Sequence, residues 1–228
     1  KVVVKNTFVP RNAGIRPDAC YLVTGGFSEV GLALAAHLAG QGAKRIWLLG
    51  RRLPQAGSPQ EQALSTLAAK GCTVEPVQVD VTDRTALAEF FQNRIQANPW
   101  PLAGVFHLAG LLDDDTLPKL DWARFNRVLA PKVDGSWYLH ELSRELPLDH
   151  FVVFSSIASI FGTHGQANHV AANTFMDALI AARRADFLPG LTVNWGAWGD
   201  IGTVVRLGIL DRIRQQGVEG FNTATGMA

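Results

Sequence analysis

TGGFSEVG, residues 24–31, sets Thr24, Gly25, Gly26 and Gly31 around a turn where little side chain stands between the backbone and whatever approaches it. Glycines at such a turn let the chain come close to a pyrophosphate, and a helix starting there offers unpaired N–H groups and a partial positive charge. Ser28 and Glu29 occupy the middle of the turn, where close approach suits glycine. A carboxylate beside a pyrophosphate costs about 1 kcal/mol if it stays solvated, and more if it does not. LLGRR brings Arg51 or Arg52 to the place where an acidic residue would bond the ribose 2′-hydroxyl of NAD. An arginine there pairs instead with the 2′-phosphate of NADP; the plain alternative is a solvated basic turn. VQVDVTD places Asp80 and Val81 where they flank an adenine, with Asp83 as a helix cap. HLAG supplies Ala109 and Gly110, small enough for a cofactor ribose to lie against the backbone.

Each of these motifs follows a short apolar run, and the runs alternate with segments of helical period. CYLVT precedes 30–40, RIWLL precedes 60–70, TVEPVQV precedes 84–97, AGVFHLA precedes 121–143, HFVVFSS precedes 165–184, and LTVNW closes the series. Continuous Val/Ile/Leu runs read as strands buried on both faces, and parallel strands need crossovers. The fold class expected is therefore α/β, a Rossmann-like doubly wound parallel sheet with helices on both faces, with ligands bound beyond the carboxyl ends of the strands. The 228 residues suit one large domain. It starts near Asp18 and runs to residue 228, with 1–17 reading as a linker rich in Asn, Pro, Arg and Gly. Residues 199–221 contain VVRLGILDRIRQQ, which reads either as a lid-like flap over the site or as a packed surface helix.

A net charge of +1 with 47% hydrophobic and 18% charged residues implies no nucleic-acid partner, and no apolar run is long enough to span a membrane. Cys20 and Cys72 lie in or beside strand-like runs with no metal-ligand spacing, which suits a reducing, cytoplasmic setting and no metal site.

TGGFSEVG, LLGRR, VDVTD, GVFHLAGLLDDD, PKVDGSW, FSSIAS, GQANHVAAN and NWGAW, in this order and spacing from about Asp18 to Gly202, together resemble the ketoreductase domain of a modular polyketide synthase. That family is a branch of the short-chain dehydrogenase/reductases. The opening KVVV looks like the tail of an enoylreductase domain, as if the chain were one piece of a multidomain synthase. The resemblance implies hydride transfer from NADPH to the β-keto group of a polyketide chain tethered through phosphopantetheine to an acyl carrier protein, with the other domains of the synthase as further partners. It does not favour a free-standing dehydrogenase for a small alcohol.

The catalytic set implied by the resemblance is a serine, a tyrosine, a lysine and an asparagine. By motif these positions are Ser156, His169, Lys132 and Asn173, so a histidine replaces the tyrosine. Negative charge growing on a carbonyl oxygen needs a fixed donor, here Ser156, and then a proton. Lys132 would lower the pKa of the proton donor and feed protons from solvent, while Asn173 would hold a relay group. His169 and Asn173 are four apart and share one helix face. Alone, Ser156 reads as a turn cap and Lys132 as a solvated lysine.

An imidazole has an ordinary pKa of about 6.5, close to working pH. The neighbouring ammonium would lower it, and the ring is about 1–2 Å shorter than a phenol, where a misplacement of ~1 Å costs on the order of 100-fold. The other tyrosines, Tyr21 and Tyr138, are poor substitutes by position. Two functions therefore stand: an active NADPH-dependent reductase, and a reduction-impaired structural or epimerising pseudo-ketoreductase in which His169, Ser28 and Glu29 have weakened reduction. On the substrate side, Leu112, Asp113 and Asp114 match the family's marker of B-type stereochemistry. Phe161, standing where the opposite type has tryptophan, agrees; Ala171 stands where an epimerising subtype has proline. From the residues alone, the three aspartates also read as a solvated acidic loop with a helix cap.

Overall fold

The computed structural model describes residues 14–208, 210–215, 217 and 219–227. The KVVV segment lies outside them. Six strands form one parallel sheet: β1 Cys20–Thr24, β2 Arg45–Gly50, β3 Thr73–Gln78, β4 Leu102–His107, β5 His150–Ser156 and β6 Leu191–Trp195. Their order is β3-β2-β1-β4-β5-β6, so the strand order reverses between β1 and β4. That reversal opens a crevice at the carboxyl ends of β1 and β4, the expected place for a ligand.

Alternation within the strands explains the two layers. In β1, Cys20 and Leu22 face a layer with Trp47, Phe91, Leu139 and Met176, while Tyr21 and Val23 face Leu34, Leu38, Ile46 and Leu67 on the other side. The first layer carries α3 (Arg84–Phe90), α4 (Trp122–Ser143) and α6 (Ala167–Ala185); the second carries α1 (Glu29–Gly40) and α2 (Pro59–Ala69). Each fully buried Leu or Phe contributes roughly 1.5–3 kcal/mol.

Polar residues set where the helices begin. Ser28, Ser58, Asp83 and Asp121 accept from the amides of Gly31, Glu61, Ala86 and Arg124, at 3.0, 3.2, 3.0 and 2.8 Å. The expected helix over 84–97 is divided: after Phe90 the chain widens into a π-helical turn, with Gln96 N donating to Phe91 O at 2.9 Å. The wider turn lets Phe91 and Ile95 stay buried in succession to Phe90. Beyond β5 lies the single turn α5 (Ala158–Phe161), and beyond β6 come α7 (Thr203–Arg206), α8 (Leu210–Gln215) and α9 (Thr223–Met227). The VVRLGILDRIRQQ stretch, read as a lid-like flap or a packed surface helix, is interrupted at Gly208, whose φ of 64° is left-handed.

Candidate active site

The turn after β1 depends on its glycines for different reasons. A Cβ on Gly25 would lie 2.9 Å from Ala109 N, one on Gly26 2.8 Å from Leu48 Cβ, and one on Gly31 2.5 Å from Gly25 O. Loop, sheet and α1 therefore close on one another only without side chains. Ser28 Oγ accepts from Gly31 N and donates to Gly25 O at 2.8 Å. Glu29 does not turn its carboxylate to the loop; its Oε2 accepts from Gly202 N at 2.6 Å.

In front of this turn lies a cavity of about 720 Å³. Its lining includes Gly25 and Ser28 from the turn after β1, Arg51 and Arg52 after β2, Asp80 and Val81 after β3, and Ala109, Gly110 and Leu112 after β4. Thr24, Gly26 and Gly31 stand behind this wall. Thr24 Oγ1 is 2.7 Å from His107 Nδ1 and accepts from Ala109 N at 3.4 Å, so it braces β1 to β4. Asp80 Oδ1 accepts from the amide and hydroxyl of Thr82, at 3.0 and 2.8 Å. Arg127 of α4 and Arg206 of α7 also line the cavity, so that four arginines and one aspartate, Asp80, stand among its described lining residues, with Arg127 paired to Asp113.

The second group of residues sits beyond Gly110. Lys132, 7% exposed, donates to Phe154 O at 3.1 Å. Burial pushes its ammonium down to about 8, opposed by the charge of Asp177. Ser156 closes β5, and its Oγ accepts from Ala158 N at 3.1 Å, the turn-capping arrangement. His169 lies in the first turn of α6, with Nδ1 enclosed and, among the described residues, without a hydrogen-bond partner. Burial, and after it the Lys132 charge, push the imidazole down to about 4. Asn173 is fully buried; its Nδ2 donates to His169 O at 2.7 Å, and its Oδ1 is enclosed with no hydrogen-bond partner among the described residues. His169 and Asn173 thus hold together across one turn, and Lys132 is close enough to depress both His169 and His107.

The LLDDD loop is tied down by ion pairs and hydrogen bonds, with Asp114 still exposed. Asp113 pairs with Arg124 at 2.6 Å and with Arg127, and these cations hold its carboxyl at about 2. Its carbonyl accepts from Asn168 Nδ2 at 2.8 Å, Asp114 Oδ2 accepts from Gln166 Nε2 at 2.7 Å, and Asp115 N donates to Gly165 O at 2.9 Å. The loop is stapled to the start of α6, the helix that carries His169. Phe161 projects from α5 with 82% of its surface exposed. Tyr21 is buried in β1, its Oη accepting from Arg16 N, and Tyr138 packs beside the core. Neither is grouped with His169.

A family model for the KR domain matches residues 19–200. The chain belongs to the ketoreductase domains of modular type I polyketide synthases. It is 39% identical over 217 residues to the spectinabilin polyketide synthase system protein NorB of Streptomyces orinoci, covering 93% of this chain and 10% of that protein. It is 41% identical over 211 residues to the mycoketide-CoA synthase of Mycobacterium tuberculosis, covering 90% of this chain and 5% of that one. The chain therefore spans a tenth or less of these curated relatives. Among solved structures, an A-type ketoreductase from a modular polyketide synthase superposes with a TM-score of 0.85 at 35% identity, over 96% of this chain and 46% of that one.

In this ketoreductase domain, several contributors to the site carried no signal in the sequence. Arg127 lines the cavity from α4 and Arg206 from α7, and neither adjoins a strand end. Asp177 accepts from Ser159 Oγ, Thr192 Oγ1 and Asn194 Nδ2, at 2.6, 2.6 and 2.9 Å, and Asn194 Nδ2 also donates to Ser155 Oγ at 3.3 Å. This network locks α6 to β5 and β6 behind the Lys132–His169 pair. The LTVNW run pointed to the strand, and only the fold pairs its Asn194 with Asp177. No helix among the described residues is long and apolar enough to cross a membrane.

Proposed function

We propose that residues 18–228 form a ketoreductase domain that binds NADPH and reduces the β-keto group of a polyketide thioester carried by an acyl carrier protein, within a cytoplasmic multidomain synthase. The observation that carries this reading is the cavity of about 720 Å³ that runs from Arg51 and Arg52 to Gly110 and Pro131, the neighbour of Lys132. Its residues fit the cofactor. The close contacts at Gly25 and Gly31 keep side chains out of the turn that a pyrophosphate would meet, and among the described residues neither Arg51 nor Arg52, both lining the cavity, has an ion-pair partner, which leaves one or the other for a 2′-phosphate. When bound, NADPH supplies the hydride that goes to the carbonyl carbon.

Charge then develops on the carbonyl oxygen. Ser156 Oγ offers one donor. His169, neutral at working pH because it is pushed to about 4, offers its Nε2–H as a second, which is electrophilic assistance rather than proton delivery. The proton comes from Lys132, whose ammonium at about 8 is acidic enough to release it and is refilled from solvent. Asn173 holds the His169 carbonyl and so the first turn of α6. Leu112, Asp113, Asp114 and Phe161 border the approach of the pantetheine arm and support B-type stereochemistry. In this role Asp113 acts through its hold on Arg124, Arg127 and α6 rather than as a free carboxylate.

A second reading rests on the same imidazole. With about one ring in a thousand protonated at pH 7, His169 is a poor acid. If Lys132 does not deliver the proton in its place, the domain binds NADPH without reducing substrate. Titration with NADPH followed by turnover of a β-ketoacyl thioester mimic separates the two. Turnover that is lost in Lys132→Ala supports the reductase, and binding without turnover, with activity gained in His169→Tyr, supports the impaired domain.

A further inference from the structure

The segment over the cavity hangs from a fixed base. Gly199 N donates to Phe221 O at 2.7 Å and Phe221 N to Ala197 O at 3.0 Å, while both oxygens of Asp200 accept from Thr223 N. The rings of Trp195, Trp198 and Phe221 pack with centroids 4.7–5.7 Å apart. Between these anchors stands α7, flanked by Gly202 at φ 86° and Gly208 at φ 64°, left-handed positions that suit glycine and allow hinge motion. α7 and the residue after it contribute Thr203, Arg206 and Leu207 to the cavity wall. No side chain of α7's own segment caps its start; the amide there, Gly202 N, is taken by Glu29, which stands 173 residues earlier at the start of α1.

We propose that Glu29 is a positioning residue that latches α7 over the dinucleotide cavity through the Gly202 amide, holding Arg206 at the cavity wall and so coupling flap closure to binding of the cofactor's phosphates. The inference rests on the NADPH reading above. It also accounts for a carboxylate in a phosphate-binding turn. Left in the loop, Glu29 would repel the pyrophosphate; engaged by a backbone N–H, it forms a charge-assisted hydrogen bond and brings a guanidinium toward the same cavity. Among the described residues the Arg206 guanidinium bonds only to Thr203 Oγ1, at 3.2 Å, so its charge is left for a ligand.

The test uses the whole chain as Glu29→Ala, Glu29→Gln, Arg206→Ala and the Glu29→Ala/Arg206→Ala double variant. Amide exchange at residues 202–207 is followed without ligand, and NADPH affinity by fluorescence titration. The latch predicts that Glu29→Ala loses about 10-fold of the ligand-free protection at Gly202 and that Glu29→Gln, which keeps an acceptor, restores most of it. It also predicts that Glu29→Ala and Arg206→Ala each weaken NADPH about 5-fold, and that the double variant is no worse than either, because both remove one coupled contribution. Unchanged exchange in Glu29→Ala, or NADPH bound as tightly as before or more tightly, overturns the latch. Additive losses in the double variant overturn the coupling through Arg206. Failure of the unaltered chain to bind NADPH overturns the cofactor reading and the coupling with it, while the ligand-free exchange still decides the Glu29–Gly202 contact.

Discussion

Replacing His169 with glutamine removes a titrating ring from α6, and the effect on acid stability follows from the ring's enclosure. The folded imidazole is held at about 4, against 6.5 for a free histidine, first by burial and then by Lys132. Above pH 6.5 the ring is neutral in both the folded and the unfolded chain, and the linkage contributes nothing. Between pH 6.5 and 4 the unfolded chain takes up a proton that the folded one refuses, so stability falls as the pH drops; below 4 both are protonated and the loss levels off. At about 1.4 kcal/mol per pH unit, the whole loss is about 3 kcal/mol. His107, held at about 3 by burial and by Lys132, has the same sign and is present in both proteins, so it cancels in the comparison. Urea denaturation of the unaltered chain and His169→Gln at pH 7, 6, 5 and 4.5 reads the difference directly. The curves should diverge by about 2 kcal/mol by pH 5, with His169→Gln the less acid-sensitive. Parallel curves would mean that the ring titrates normally, which would refute its depression to about 4 and remove the ground for giving the proton to Lys132 rather than to His169.

Three further outcomes are expected. Gly31→Ala forces a Cβ to within 2.5 Å of the Gly25 carbonyl, a backbone atom that cannot step aside, and should cost about 1–3 kcal/mol of stability together with NADPH binding, checked by thermal melts with and without cofactor. Arg51→Ala/Arg52→Ala should weaken NADPH at least 10-fold and leave NADH nearly unchanged, measured by fluorescence titration of both cofactors. Because Lys132 sits at about 8 and donates as the ammonium, kcat should hold steady from pH 6 to 7 and fall about tenfold per unit well above 8. A rate that instead climbs toward pH 4 would assign the proton to His169.

The strands were legible because their apolar runs are short and bounded by turn residues, and the start of α3 because Asp83 caps it; Ser28 looked like a misfit in the phosphate turn, and its capping of α1, like that of α4 by Asp121, emerges only in the fold. The resemblance located Lys132, Ser156, His169 and Asn173 by motif. What their neighbourhoods do was not legible, because it depends on enclosure: the value of about 4 at His169 comes chiefly from desolvation, which no spacing records. The acidic loop read equally as solvated, since Arg124 and Arg127 lie a helical turn apart on α4 and become its partners only when that helix packs. Glu29 looked like an obstacle to phosphate because its partner, a backbone amide 173 residues away, has no side-chain signature. The helix over 84–97 was overextended for a related reason: a π-helical turn preserves helical periodicity closely enough to hide in the pattern.

Whether this domain reduces a ketone is decided by one assay, the oxidation of NADPH on addition of a β-ketoacyl thioester at pH 7, run on the unaltered chain, Lys132→Ala and His169→Tyr. Reduction with Lys132 as the proton donor predicts measurable turnover in the unaltered chain, a loss of at least 100-fold in Lys132→Ala with NADPH still bound, and turnover in His169→Tyr within a few-fold of the unaltered chain. Tight NADPH binding with no turnover in the unaltered chain, and full activity only in His169→Tyr, would contradict it.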